Sequence, residues 1–347
     1  MTEFETLGQD VGEYLDRHAK PELACVVKAI ARVAIPVSQI VRRGRLAGGP
    51  EAAAGAADLD AAAQKALDCF AEKAFEQGLR GCGARALVTE ARDAPTMLDP
   101  DGEALVALDP LDGSSNIDAN VAVGSIFSVL DAPAGGGASA QDFLQPGNRQ
   151  RAAGFVVYGP QTCLVFTTGA GTQAATLDPD TGTFRISRLN LQVREGSAEF
   201  AINASNSRHW PEPVRAYIDD CVMGDEGPRG KNFNMRWFAS TVADAYWILV
   251  RGGVYLCPDD ARAGFAKGRL RLLYEANPIA MLVEQAGGLA IDGVNRILDI
   301  APTSLHARTP FIFGSTDKVE RVKRYFLEGD HSAERSPLFG KRGLLRN

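Results

Sequence analysis

The chain has 347 residues, 45% of them hydrophobic, enough for about two domains with cores of their own. Its 43 acidic residues outnumber 37 Lys and Arg, and the net charge of −6 argues against a nucleic-acid or membrane-surface partner. Six irregularly spaced cysteines without a C-x-x-C pair, and four scattered histidines, argue against a disulfide framework or a zinc cluster.

No apolar run is expected to cross a bilayer. The opening "MTEFETLGQD" is acidic and lacks the basic-then-apolar order of a signal peptide, so a cytoplasmic protein is expected. The first predicted helix covers 22–42, where Val26, Val27, Ile30, Val33, Ala34, Val37, Ile40 and Val41 recur at helical spacing. Pro36 should kink or split it. After a small-residue loop, a second helix is predicted at 59–79 with the stripe Ala63, Leu67, Phe70 and Ala74. Strands follow at 85–89, 104–108, 121–130, 152–158, 163–168, 173–177 and 183–187, rich in Val, Ile, Phe and Leu. The polar stretch 188–198 marks a boundary between a domain at 1–192 and a second at 193–347.

The second half reads as a strand at 199–203, a helix from Pro211, and a helix in "FASTVADAYWILVRGG" ending at Gly252–Gly253. Strands at 254–257 and 268–274 precede a helix in "NPIAMLVEQAGG", with Asn277 as its N-cap and Pro278 in its first position. Strands at 289–292 and 311–314 and a helix at 317–328 complete it. There is no internal repeat. The mixture predicts an α/β layered architecture.

The chemistry concentrates in "DPLDGSSNID", Asp109–Asp118, directly after the apolar strand "EALVAL". Pro110 forces an extended bend that can turn Asp112 back towards Asp109. Two carboxylates on a rigid strand end, with the Leu111 carbonyl between them, suit a hard cation such as Mg²⁺. Gly113 lets the main chain approach a ligand, and the amides and hydroxyls of Ser114 and Ser115 form an anion nest. Glu90 and Glu275 end two further apolar strands, and Asp68 flanks the stripe of the second helix. A capped polar turn is the bland alternative, but it explains neither the paired acids nor the preceding strand. A serine-hydrolase elbow is missing, and "GAG" at 169–171 is a weak dinucleotide signal.

"ALDPLDGSSNIDANVAVGSIFSV", "FLQPGNRQRAAGFVVYGPQT", "LRLLYEANPIAMLVEQAGG" and "LDIAPTSLH" resemble class I fructose-1,6-bisphosphatase, in order, from about residue 20 to 326. The resemblance implies a five-layer αβαβα sandwich, commonly a homotetramer, with two or more Mg²⁺ ions (or Mn²⁺) per subunit and a sugar bisphosphate as substrate. By motif matching it implies Glu90, Asp109, the carbonyl of Leu111, Asp112 and Glu275 as metal ligands, with Glu90 also catalytic. Asp112, Gly113, Ser114 and Ser115 would cradle the reacting 1-phosphate, and Asp68 would stand near the attacking water. Asn203, Arg236, Trp237 and Arg269 would hold the sugar and its 6-phosphate, Arg236 by reaching into a neighbouring subunit. Arg269 stands where a lysine is common, which changes the donor geometry.

Three positions depart from the pattern. Ala62 and Ala91 replace acids linked to a mobile loop, a further metal and water activation, although Asp60 is nearby. Cys257 replaces a sugar-contacting tyrosine. Two readings therefore stand: a metal-assisted phosphomonoesterase acting on fructose 1,6-bisphosphate, with sedoheptulose 1,7-bisphosphate as a second substrate, or an attenuated paralogue that binds sugar phosphate without hydrolysing it well. The family's regulation by AMP or by dithiol reduction is not expected here. "RHAKPELACVV" lacks the glycine-rich AMP stretch of animal and enteric members, and "DAPAGGGASAQDF" lacks the cysteines of the chloroplast-type insertion.

Overall fold

A computed structural model describes residues 6–44, 46 and 56–328, with the backbone alone for 56–63. Three helices come first: α1 (Val11–His18), α2 (Pro21–Arg43) and α3 (Ala56–Gly78). The Asp10 carboxylate caps α1, accepting from the N–H groups of Gly12 (2.8 Å) and Glu13 (3.4 Å). Along α2 the buried stripe includes Val26, Val27, Ile30, Val33, Ala34 and Val37, and the helix runs unbroken through Pro36. An interior proline costs about 3 kcal/mol. Each fully buried Val or Ile returns about 1.5–3 kcal/mol, and such residues lie on both sides of Pro36, so packing outweighs the break. Contrary to the expectation from sequence, α2 is long and apolar enough to cross a membrane by length and composition. More than half of that window is buried inside the protein, which makes it a core helix.

α3 begins earlier than predicted, and its buried face is Leu67, Ala71 and Phe75. Phe70 is exposed and Ala74 half-buried, because the packed face follows the four-residue step from Leu67. The side chains of Asp60, Ala62 and Ala63 lie outside the described residues.

A large sheet follows, built from β1 (Ala84–Thr89), β2 (Thr96–Met97), β3 (Ala104–Asp112), β4 (Val123–Asp131), β5 (Ala152–Tyr158), β6 (Thr162–Thr167), β7 (Gln173–Asp178) and β8 (Thr183–Arg188). Its order is β2-β1-β3-β4-β5-β6-β7-β8. Only β1 and β3 pair in parallel. Its central strands are buried on both faces, which is why they read as nearly continuous apolar runs.

The second half contributes β9 (Glu199–Ala201), α4 (Glu212–Val222), β10 (Asn234–Met235), α5 (Thr241–Arg251), β11 (Val254–Cys257), β12 (Leu270–Arg271), α6 (Asn277–Gln285), β13 (Leu289–Ile291), β14 (Arg308–Thr309), β15 (Phe311–Gly314) and α7 (Thr316–Glu328). Its main sheet has the order β10-β9-β11-β15-β13.

Among the described residues four apolar cores form, one of them packing Ala86, Val88, Leu105 and Ala107 of the large sheet against Leu273 and Tyr274; the other three join the layers. One joins Val27, Ile30 and Phe75 of the first helices to Leu87, Val106 and Phe127 of the large sheet. The next joins the opposite face of that sheet (Phe155, Val165) through α5 and α6 (Val242, Ile248, Ile279, Val283) to Tyr255 and Phe313. A third packs Val254 and Ile312 of the smaller sheet against Val214 and Tyr217 of α4 and Val319 and Val322 of α7. The result is the expected five-layer αβαβα sandwich.

One expected strand is corrected. Within 268–274 only Leu270–Arg271 is extended, pairing with Arg308–Thr309, and Leu272–Ala276 forms a π-helical turn. All five residues of that turn are buried. Asn277 is therefore not an N-cap: it is already helical, Ala276 precedes it, and Pro278 lies in the first turn of α6.

Candidate active site

The two aspartates of "DPLD" are three residues apart, so an unbroken strand would point them to opposite faces. Their register with β4 shows what intervenes: Asp109 faces Ile126 and Asp112 faces Gly124, three steps against two. One extra residue makes a β-bulge at Pro110–Leu111, and Pro110, without an N–H, sits where ladder bonding is interrupted. The bulge brings both carboxylates to one side. Both aspartates belong to β3, whereas Glu90 follows β1 and Glu275 sits in the π turn rather than at a strand end.

Gly124 lets α5 approach. A Cβ there would meet Val156 O at 2.3 Å and Val242 Cγ2 at 2.6 Å. Close packing places the N-terminus of α5 at Asp112, whose carboxylate accepts from the Val242 N–H. Gly113 adopts φ 73° and turns the chain into the 3₁₀ turn Ser114–Asn116. Asn116 Nδ2 donates to Ala239 O at 2.7 Å, tying this turn to the segment that carries Arg236 and Trp237.

A cavity of about 270 Å³ opens here, lined by Gln64, Glu90, Asp109, Leu111, Asp112, Gly113, Ser114, Ser115, Arg269, Arg271, Glu275 and Arg308. It gathers every expected metal-ligand residue and the whole expected phosphate cradle. Asp68 is adjacent, hydrogen-bonded to Ser114, which also accepts from Gln64 Nε2 at 2.9 Å. Burial raises the Asp68 carboxyl against the lowering effect of that hydrogen bond. Burial likewise raises Asp109, Asp112 and Glu275, and Asp112 pushes both Asp109 and Glu275 further up. Three mutually repelling buried carboxyls need protons or a cation to share the site.

Among the described residues no three acidic, histidine or cysteine side chains converge tightly enough to close around an ion as they stand. The expected ligand set is assembled but open. Arg271 explains part of this: its Nη1 lies 2.9 Å from Glu90 Oε1, and its N–H donates to Glu275 Oε2 at 2.7 Å. Asp109 Oδ1 accepts from the Leu111 N–H at 3.1 Å. The donor chemistry nevertheless fits a hard cation, because all side-chain donors are carboxylate oxygens and the buried Asp112 Oδ2 has no hydrogen-bond partner.

The remaining predicted residues lie outside this cavity's lining. Asn203 caps a 3₁₀ turn, its Oδ1 accepting from Ser205 N (3.2 Å) and Oγ (2.6 Å). Arg236 is exposed, with Nε 3.9 Å from Glu199. Trp237 stacks on Tyr255 at 5.7 Å between ring centroids. Ala91 is exposed beside Glu90, and Cys257 is half-buried. The sequence reading missed Gln64, Arg271 and Arg308. Arg271 had a signal: it is the one charge inside the apolar run "LRLLY", four residues before Glu275.

Comparison with known proteins matches most of the chain to two family models. A model of the fructose-1-6-bisphosphatase N-terminal domain matches residues 6–188, and one of the C-terminal domain matches 193–327. Proteins named fructose-1,6-bisphosphatase class 1 are similar along the chain. That of Methylobacterium radiotolerans is 50% identical over 329 residues, 95% of this chain and 93% of its own. That of Rhodopseudomonas palustris strain HaA2 is 47% identical over 346 residues, 100% of both chains. The crystal structure of Leishmania major fructose-1,6-bisphosphatase in holo form superposes with a TM-score of 0.82 at 32% identity, covering 92% of this chain and 99% of that one. With its layers, its bulged acid pair and relatives that match from end to end, the chain belongs to the class 1 fructose-1,6-bisphosphatase family of phosphatases.

Proposed function

We propose that the protein hydrolyses fructose 1,6-bisphosphate to fructose 6-phosphate and phosphate, in a reaction that depends on Mg²⁺ or Mn²⁺. The observation that carries this reading is the bulge at Pro110–Leu111, which aims two buried carboxylates and a glycine-serine anion nest into one cavity. Glu90, Asp109, the Leu111 carbonyl, Asp112 and Glu275 would hold two or more cations. Such cations supply charge neutralisation and polarise phosphoryl oxygens. The amides and hydroxyls of Gly113, Ser114 and Ser115 receive the 1-phosphate. Asp68, raised by burial and oriented by Ser114, takes the proton of the attacking water. Arg269, on the cavity's rim, faces the far end of the substrate together with Asn203, Trp237 and, from a neighbouring subunit, Arg236.

This reading includes a metal- and phosphate-binding unit at 1–192, a sugar-phosphate-binding unit at 193–347, a homotetramer and a cytoplasmic location. A phosphate-release assay with Mg²⁺ or Mn²⁺ tests it on fructose 1,6-bisphosphate, sedoheptulose 1,7-bisphosphate and sugar monophosphates. Metal-dependent release, fastest from a bisphosphate, is expected. Saturable sugar-phosphate binding without release would replace the reading with that of the attenuated paralogue, for which Ala62 and Ala91 speak.

A further inference from the structure

The segment between β11 and β12 contains a side-chain cluster that the reaction above does not use. Asp260 is buried, and two guanidiniums converge on its carboxylate. Arg262 Nε lies 2.8 and 3.0 Å from the two oxygens, its Nη2 also bonds Oδ2, and its N–H donates to Oδ1 at 2.9 Å. Arg269 Nη2 lies 3.4 Å from Oδ2. Both guanidiniums stack over Phe265, Arg269 at 4.1 Å and Arg262 at 5.6 Å from its centroid. Arg262 Nη2 also donates to Asn206 Oδ1 at 2.9 Å, and Ala261 N to His209 O at 3.1 Å. The segment is thereby fastened to the 3₁₀ turn that Asn203 caps.

A purely structural clasp needs one guanidinium per carboxylate. Here one carboxylate serves two, and the two arginine side chains remain 36% and 37% exposed. Arg262 Nη1 and Arg269 Nη1 and Nε have no acceptor among the described residues. Two like charges held against one aromatic ring repel unless an anion joins them, and planar guanidiniums hold phosphate in two-pronged fashion. Arg269 also lines the cavity that holds the acids and the glycine-serine nest. The cluster therefore borders the place where the second end of a bound bisphosphate emerges.

We infer that Arg262 is a second phosphate-binding guanidinium for the distal phosphate of the substrate, and that Asp260 is the positioning residue that sets both Arg262 and Arg269. This rests on the proposed reaction, and the test separates the two. Full-length protein, Arg262→Gln, Arg262→Lys and Asp260→Asn are titrated with fructose 6-phosphate by calorimetry. Turnover is measured on fructose 1,6-bisphosphate and on fructose 1-phosphate, which lacks the distal group.

Arg262→Gln should weaken fructose 6-phosphate about 10–100-fold, the scale of a charge-assisted hydrogen bond. Arg262→Lys should recover part of that loss. Asp260→Asn should weaken it as well, although Asp260 touches no ligand. In these variants KM for the bisphosphate should rise more than kcat falls, and the preference for bisphosphate over monophosphate should shrink at least about tenfold. Wild-type affinity in Arg262→Gln, or equal losses on both substrates, overturns the inference. So does wild-type protein that binds no fructose 6-phosphate. Wild-type protein that binds it but releases no phosphate overturns the reaction and leaves the anion site standing. If Asp260→Asn melts at a much lower temperature, Arg262→Gln alone decides.

Discussion

The two ends of the candidate site are built in opposite ways. The acid end stands on regular structure: a bulged strand, the start of α5 and a buried π turn, with carboxylates crowded against one another. The distal end stands on irregular chain, the 3₁₀ turn after Asn203, the two-residue strand Asn234–Met235 and the segment 258–269, with exposed arginines. On the proposed reaction, the contrast follows from what each would bind. Positioning cations and a reacting phosphorus needs rigid geometry, which strands and helix ends supply. Gripping a terminal phosphate needs several donors, and loops supply them from separate places.

The largest effect should come from the rigid end. Asp112→Asn keeps the side-chain shape and the Val242 hydrogen bond but removes the charge. Metal-dependent phosphate release should fall by more than the about 10–100-fold typical of losing an outer-shell partner. The melting temperature without metal should hold or rise, since one of three repelling carboxyls is gone. Unchanged turnover and metal affinity would remove the acid end from the mechanism and leave only a phosphate-binding protein.

A smaller effect should come from the support beneath it. Gly124→Ala places a Cβ 2.3 Å from Val156 O and drives α5 away from β4. Overpacking of this kind costs about 1–3 kcal/mol. Activity should fall with stability, because Asp112 loses the Val242 N–H that orients it. Full activity combined with a lowered melting temperature would show that α5 supports the fold without aiming the carboxylate.

The third prediction concerns the joint between the two ends. Asp244 on α5 is buried, accepts from the Phe238 N–H at 3.3 Å, and leaves Oδ2 without a partner. Burial pushes its carboxyl from the ordinary 3.8 up to about 7. The folded state therefore holds this proton more tightly than the unfolded state does. Its contribution to stability is fully present below pH 3.8 and is lost as pH rises towards about 7. Other acids titrate in the same window, so the useful quantity is the difference between wild type and Asp244→Asn. Relative to the variant, the wild type should lose about 1–4 kcal/mol between pH 4 and pH 8, at about 1.4 kcal/mol per pKa unit. A constant difference across that range would mean that Asp244 is ionised throughout, with its charge balanced in the fold.

The same contrast governed what could be read from the sequence. Asp109 to Ser115 is one contiguous stretch, so strand, bend, acids and nest were legible together, and the resemblance was carried by long blocks in order. Asp260, Arg262 and Asn206 are contributed by two segments more than fifty residues apart, and nothing in "CPDDARAGFAKGR" has a period to reveal that one carboxylate gathers two arginines. The π turn was illegible for another reason. "LRLLYE" is apolar enough for a strand, and only the short partner Arg308–Thr309, which pairs with no more than Leu270–Arg271, decides against it. The buried face of α3 was misplaced because residue type alone favoured Phe70, whereas packing selected Ala71 and Phe75.

The smallest expected effect is none at all, and it concerns regulators acting far from both ends. α2 begins after Lys20 with Pro21 in its first turn and no side-chain cap. Proline removes one of the N–H donors that a nucleotide phosphate would use at a helix start, and "HAKPEL" offers no threonine hydroxyls. All six cysteines are free thiols. Burial pushes Cys82 and Cys221 up to about 11, which leaves little thiolate for exchange at neutral pH. The loop between β4 and β5 contains no cysteine. AMP and dithiol treatment should therefore leave phosphate release unchanged, while metal and substrate supply set the rate. Calorimetric titration with AMP, run beside the activity assay, checks the first point. Saturable AMP binding accompanied by loss of activity would show that the start of α2 forms a nucleotide site by donors other than those expected. Burial pushes the half-buried Cys257 up to about 12 as well, so a rate that rises on reduction would direct attention to Cys25 and Cys69.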